Sequence, residues 1–427
     1  MSRSLSLSIR NRNAFLFLIL ASVVVKFVVS ALVPANSDLV DILKLAIAND
    51  SRAQWTPWIV LNKQIIDFWA SMPFVVSKPE VWWQTPPMAM PMDLRLLAVL
   101  VRLPVLLCDL AIAFILYFTV LRVKGSTELA RLATLAWLVN PYATFAIEML
   151  SMPDVAVSMM VAITVLLLVQ RRTALASLAF AGGIALKLYP IFLLPCLLLY
   201  EERIGSRRRS QWFTSCLALL GLSAYMYWFM QGRYSLVALL EYSPVSQSLK
   251  AFFESARIGG TIVPQILLSY FAAAFVLFYF AIWVVGKRSE PSIIRSILPL
   301  LLFYFAFTDP YPQYLVWVLP FLTLDVVLFA RRHLAPLATL LGLAFGWGFL
   351  AFAAYSTPSG YSLFLFQIMG GAEPVPWYSQ AILSSLFSQE FSVLITPWFR
   401  ASLSAAGLVY AFAVLRGWLQ TTGNARL

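Results

Sequence analysis

Just beyond the first apolar run the chain reads Pro34-Ala35-Asn36-Ser37-Asp38-Leu39-Val40-Asp41, which sets two carboxylates one helical turn apart. Residues three apart share a helix face, and their mutual repulsion favours proton uptake by one of them, as a general base requires. The same spacing also suits a plainer role, Asp38 capping a helix on the bilayer surface and Asp41 serving as its first-turn acid. Lys187 lies in Ala181-Gly182-Gly183-Ile184-Ala185-Leu186-Lys187-Leu188-Tyr189-Pro190, a cation among apolar residues where the helical pattern breaks. Such a lysine needs an anionic partner. A lipid phosphate at the positive end of the following half-helix would serve, and so would an internal carboxylate such as Asp154 or Asp109.

Other polar groups stand inside apolar surroundings. Arg102 and Asp109, seven residues apart on one face of the second apolar run, with Lys26 in the first, point to mutual charge satisfaction, or to a phosphate contact by Arg102. Thr308-Asp309-Pro310-Tyr311-Pro312-Gln313-Tyr314-Leu315-Val316-Trp317 brings acid, amide and aromatic groups together between two apolar runs. Aromatic faces stack on pyranose C–H groups while Asp309, Gln313 and Tyr314 read hydroxyls; an interfacial aromatic belt has the same composition. Asn140-Pro141 is a helix stop, leading to Glu148 and Asp154.

The elements that must position these residues belong to a membrane protein. The 427 residues are 61% hydrophobic and 12% charged with a mean hydropathy of +0.82, and apolar runs near the membrane-crossing length recur from Ala14 to Trp418. The expected fold is an all-α polytopic bundle of about 10–12 transmembrane helices forming a single domain over residues 1–427. Spans are expected near 14–34, 97–121, 128–148, 153–170, 173–186, 188–200, 211–231, 261–285, 293–308, 312–330, 334–355 and 396–418. The first run is too long for a signal-peptide core and has no small-x-small cleavage site, so it is read as a retained helix. The fifth and sixth are too short to cross. The stretch 173–200 is therefore read as a broken re-entrant hairpin that enters and leaves from one side.

That choice places the strongly basic loops, including Arg207-Arg208-Arg209, on one cytoplasmic face together with both termini. The net charge of +12 then follows from topology and contact with anionic membrane lipids, with no nucleic acid as partner. Most acids fall on the opposite side. The first outer loop, 35–95, carries Trp55, Trp58, Trp69, Trp82 and Trp83 and is read as interfacial helices, in particular about 55–76; a second such loop spans 356–395. Cys108, Cys196 and Cys216 lie in apolar runs without metal-ligand spacing, and His333 is the single histidine, which excludes Ser-His-Asp hydrolysis and His-based metal sites.

Trp137-Leu138-Val139-Asn140-Pro141, Asp154, Arg171-Arg172, Gly183-Ile184-Ala185-Leu186-Lys187-Leu188-Tyr189-Pro190 and Leu194-Pro195 together resemble the GT-C superfamily of integral-membrane glycosyltransferases. More narrowly they are similar to the polyprenyl- and dolichyl-phosphate-mannose-dependent mannosyltransferases, GPI mannosyltransferase I among them. Arg102-Leu103-Pro104 to Cys108-Asp109-Leu110 and Gln313-Tyr314-Leu315-Val316-Trp317 to Pro320-Phe321 fit the same pattern, so the likeness covers about 100–320 plus the acidic start of the outer loop. The resemblance implies an inverting transfer of a hexose, mannose by analogy, from a polyprenyl-phosphate sugar donor to a lipid or glycan acceptor on the outer or lumenal face, without cofactor or metal. Asp38 matches the base and Lys187 the phosphate anchor, with Tyr189, Arg102, Asp154, Asp309, Gln313 and Tyr314 as substrate-binding positions. Family members often carry an acid-x-acid pair or Asp-Tyr in this loop, whereas two residues separate Asp38 from Asp41, so either acid fits as base. The location implied is the plasma membrane of a prokaryote or the endoplasmic reticulum membrane of a eukaryote. A multi-pass transporter or lipid flippase is the alternative, since half-helices and buried charges also build transport sites, although no internal repeat is visible. An acyltransferase or polysaccharide polymerase fits less well, because His333 falls on the cytoplasmic side.

Overall fold

The structure is a computed structural model and describes residues 12–32, 37–48, 57–84, 90–149, 153–203, 208–231, 276–282, 284, 293–307, 312–329, 402 and 405–416. Among them there is helix and connection but no strand. In chain order the helices are α1 (Arg12–Leu32), α2 (Ser37–Ala48), α3 (Pro57–Ala70), α4 (Met92–Lys124), α5 (Thr127–Leu138), α6 (Pro141–Thr144), α7 (Asp154–Val169), α8 (Thr173–Leu186), α9 (Leu194–Arg203), α10 (Arg208–Gln231), α11 (Ile293–Phe307) and α12 (Leu319–Phe329). Short 3-10 segments at Pro79–Gln84, Tyr189–Leu193 and Pro312–Trp317 and a π turn at Phe145–Met149 join them. The expected span 334–355, the loop 356–395 and Asp309 lie outside the described residues.

Two of these helices, α1 and α4, are long and apolar enough to cross a membrane. The others expected as spans are shorter where described. Expectation and structure part most clearly at 128–148, which is two pieces and a π turn. Asn140 ends α5, and its Oδ1 accepts the N–H groups of Tyr142 (2.9 Å) and Ala143 (3.3 Å), starting α6 afresh. At the far end of α4, Gly125 takes the left-handed conformation (φ 65) and donates its N–H to Leu121, closing the helix where a side chain would be strained. Ser126 then caps α5 by accepting the N–H of Leu129.

The distribution of polarity is inverted relative to a water-soluble bundle. On α1, Lys26 is 1% exposed while Phe17 is 69% exposed, and Leu16, Leu20, Val24 and Val28 continue an outward apolar stripe one turn apart. On α4, Arg102 and Asp109 are buried while Leu107, Phe114 and Phe118 face out. Charges point inward and alkyl groups outward.

Contacts fix the direction of each helix. Ser30 meets Arg102 and Lys26 meets Asp109, so α1 and α4 are antiparallel. Trp137 meets Asp109 and Thr134 meets Ala113, so α5 returns along α4. Val157, Val161, Val165 and Leu168 of α7 share one buried cluster with Val105, Ile112, Leu116 and Val120, and a three-residue turn reverses the chain into α8. Leu32, Met92, Leu138, Asp154 and Lys187 thus lie toward one end of the bundle, the Lys187 end. Toward the opposite end lie Arg12, Arg122, Lys124, Arg171, Arg172 and Arg203.

The chain breaks at Lys187-Leu188 between α8 and the 3-10 turn that feeds α9. Thr214 of α10 donates to Glu201 in α9 at 2.6 Å, and its hydroxyl lies 2.6 Å from that of Ser177 in α8. The start of α8 and the end of α9 are therefore bridged by one side chain, and the two arms leave from and return to the same end. Lys187 sits at the tip. Gly221 lets α10 approach the backbone of α8, since a Cβ there would stand 2.5 Å from the carbonyl oxygen of Ala181.

A second buried cluster covers the Lys187 end of α4. Leu39, Leu43 and Ala46 of α2, Ile59, Ile66 and Trp69 of α3, and Trp82 pack on Leu94, Leu97, Ala98 and Val101. Trp69 donates to the carbonyl of Asp93 at 2.8 Å, and the Asp93 carboxylate accepts the N–H groups of Ser77 (2.9 Å) and Val76 (3.2 Å). The loop 35–95 is thus helical as expected, and it is bound to the bundle by its own core.

Candidate functional site

Asp154 begins α7, directly after Pro153, and Lys187 ends α8; the tight turn between these antiparallel helices brings their far ends level. Lys187 Nζ lies 2.7 Å from Asp154 Oδ1, and the indole Nε1 of Trp317 donates to the same oxygen at 2.9 Å. The ammonium also lies 5.2 Å from the Trp317 ring centroid, a cation–π contact. Trp317 is held in turn from behind. Tyr189 stacks on it at 3.6 Å with an interplanar angle of 6°, the Tyr189 hydroxyl bonds to Ser158, and the Ser158 hydroxyl donates to the Val316 carbonyl at 3.2 Å.

Burial is lopsided in this cluster. Asp154 is 2% exposed and the Lys187 side chain 33% exposed. The second carboxylate oxygen, Asp154 Oδ2, is buried with no hydrogen-bond partner. A buried carboxylate and a rigid indole therefore fix the base of a lysine whose head reaches the surface at the tip of the hairpin. Such a group can attract an anion while the carboxylate limits how far the ammonium swings.

No match to this chain emerged from comparison with protein-family models or with curated proteins. The chemistry of the site must therefore be argued from its own geometry.

The remaining expected residues fall in several places. Asp38 and Asp41 belong to α2, the helix that leads away from the Lys187 end of α1, so their backbone stands at the same end of the bundle as Lys187; their side chains, like those of Gln313 and Tyr314 in the 3-10 segment, lie outside the described residues. Tyr189 and Trp317 are buried face to face, so neither presents an open ring to a sugar; the expectation that Trp317 contributes a stacking surface gives way to a supporting role beneath Lys187. Arg102 does not pair with Asp109. Seven residues put about 10 Å of helix axis between them, and Arg102 instead donates to the Ser30 carbonyl at 2.6 Å and lies 5.3 Å from the Trp82 ring centroid.

Asp109 is satisfied from elsewhere. Lys26 Nζ lies 2.9 Å from Asp109 Oδ2 and 3.1 Å from Glu148 Oε1, and Trp137 donates to Asp109 Oδ1 at 2.8 Å. Glu148 reaches this cluster because it rides on the π turn, whose extra residue per turn re-aims side chains. Sequence reasoning identified Lys26 and Asp109 but not Glu148 or Trp137. The signal for Glu148 was available as a lone acid inside an apolar stretch just after a helix stop.

Proposed function

We propose that this chain is a multi-pass membrane glycosyltransferase of the GT-C type that moves a hexose, mannose by analogy, from a polyprenyl-phosphate carrier to a lipid-linked or glycan acceptor with inversion. The inverted polarity of α1 and α4 supports a lipid-solvated bundle, because wholly buried Lys26 and Arg102 alongside outward Phe17 and Phe118 match hydrocarbon as the surrounding solvent. The cations gathered toward one end agree with a cytoplasmic face there, in a plasma membrane or endoplasmic reticulum membrane, and put Lys187 on the outer or lumenal side.

The observation that carries the transferase reading is the partly exposed ammonium of Lys187, anchored by Asp154 and Trp317, at the same end as the α2 helix that bears Asp38 and Asp41. In the reaction, Asp38 or Asp41 accepts the proton of the acceptor hydroxyl as its oxygen bonds to the anomeric carbon. The bond from that carbon to the phosphate oxygen breaks, and its electron pair leaves on polyprenyl phosphate. The product phosphate carries one more negative charge than the donor, and a cation at the Lys187 position favours that charge as it develops. Wild-type chain in lipid nanodiscs, supplied with radiolabelled polyprenyl-phosphate mannose and a membrane-lipid extract as acceptor, is expected to transfer label. Asp38→Asn should abolish transfer and Lys187→Ala should raise the donor KM most. Absence of transfer from any polyprenyl-phosphate sugar would overturn the reading.

The buried Lys26–Asp109–Glu148 cluster on a π turn favours the second reading, a transporter or flippase, since intramembrane ion clusters also line transport paths. Scrambling of a labelled polyprenyl-phosphate sugar across vesicles without its consumption would select it.

A further inference from the structure

Around Arg102, at the Lys187 end, the structure leaves several buried polar atoms without a hydrogen-bond partner: Ser30 Oγ, Asn62 Oδ1 and the indole nitrogens of Trp58 and Trp82. Arg102 ties two of them together, since its guanidinium donates to the Ser30 carbonyl and faces the Trp82 ring. The other two are brought alongside by helix register. Trp69, at the end of α3, bonds to Asp93 in the first turn of α4, and Ile59 and Ile66 share a cluster with Leu97 and Val101, so α3 runs back beside α4. Asn62 is seven residues back from Trp69 and Arg102 nine residues on from Asp93, which at 1.5 Å per residue sets them at roughly the same height. Asn62 is 1% exposed, and its Nδ2 donates to the Trp58 carbonyl at 2.7 Å. That bond identifies Oδ1 as the amide atom left over, so it is a true acceptor.

Buried donors and acceptors without partners cost about 1–3 kcal/mol each. Four in one layer mark a place where something else supplies the bonds. Its chemistry follows from the mixture. Two indole N–H groups and the guanidinium want acceptors, whereas Asn62 Oδ1 wants a donor, and Ser30 Oγ can do either. A phosphate would satisfy the cations and indoles but set its oxygens against Asn62 Oδ1. A hydroxyl both donates and accepts, and the flanking Trp58 and Trp82 rings suit the C–H face of a pyranose.

We propose that Ser30, Trp58, Asn62 and Trp82 form, with Arg102, a subsite for the hydroxyls of a sugar ring. Resting on the transferase reading, it is the acceptor's subsite, because α2, which carries Asp38 and Asp41, packs in the same cluster as α3. The position lies apart from the Lys187–Asp154 pair, so donor phosphate and acceptor sugar have separate anchors.

The test uses the full chain in nanodiscs and two probes, octyl mannoside and octyl phosphate. Wild type should bind octyl mannoside saturably, and Asn62→Leu and Trp82→Phe should each weaken it by about ten-fold. Both variants should keep or raise Tm, since each removes an unsatisfied polar group, whereas a purely structural role predicts a lower Tm. No saturable octyl mannoside binding, binding unchanged in both variants, or the same variant sensitivity for octyl phosphate would overturn the subsite. If octyl mannoside behaves as expected but no sugar is ever transferred, the subsite stands as a sugar site and the transferase reading falls. If transfer occurs with an unchanged acceptor KM in both variants, the subsite falls and the transferase reading stands.

Discussion

Two lysines sit in this bundle against carboxylates, and they differ in one respect that separates scaffold from site. Lys26 is closed on all sides, with Asp109 at 2.9 Å, Glu148 at 3.1 Å and 1% of its side chain exposed. Lys187 has one carboxylate at 2.7 Å and an indole beneath it, yet 33% of its side chain is exposed. The first arrangement ties α1, α4 and the π turn together and leaves no room for a ligand on the ammonium. The second holds an ammonium from one side only. Ion pairing alone therefore says little about function in a chain of this kind; what decides is whether the cation keeps an open face.

The comparison can be broken most forcefully at the closed pair. Lys26→Leu leaves two buried carboxylates without their shared cation and is expected to cost about 3–5 kcal/mol, read as loss of folded protein in thermal scans of the purified chain. A wild-type Tm in that variant would remove the scaffold role. Next in size is the contact that holds the hairpin. Gly221→Leu drives a side chain into the Ala181 backbone and should destabilise by at least about 1–3 kcal/mol, with Gly221→Ala intermediate; equal Tm values across the series would show that α8 and α10 tolerate separation. At the open pair the stability effect should be smaller, because Lys187 is already partly solvated. Lys187→Ala is expected to lower stability by no more than about 1–3 kcal/mol while removing donor binding, so a large Tm loss with normal donor binding would make it a scaffold residue like Lys26. Smallest of all, Asp38→Asn at the start of α2 should leave Tm within about 0.5 kcal/mol of wild type and act on turnover alone.

Much of this was legible in the residue order, and unevenly so. The break at Lys187 could be read because Gly182-Gly183 and Tyr189-Pro190 punctuate an apolar run too short for two crossings, and the structure breaks there and returns both arms to one end. The long α4 was legible from its hydropathy. The split at Asn140 was seen only as a helix stop, since a π turn leaves no period of its own in five residues. Least legible was the pairing of charges. Arg102 and Asp109 share a face of α4, but which cation meets which acid depends on how α1 and the π turn dock, and that docking is decided by tertiary packing. Trp317 illustrates the same limit: composition suggested an open aromatic surface, whereas its indole N–H is consumed by a buried acid 163 residues away.

The central claim is that Lys187 is an open cation reserved for a lipid phosphate, and titrating polyprenyl phosphate onto the nanodisc-embedded chain tests it without requiring turnover. Saturable binding to wild type and to Asp38→Asn, weakened about ten-fold or more by Lys187→Ala, is the predicted result. Binding of equal strength to wild type and Lys187→Ala would contradict it.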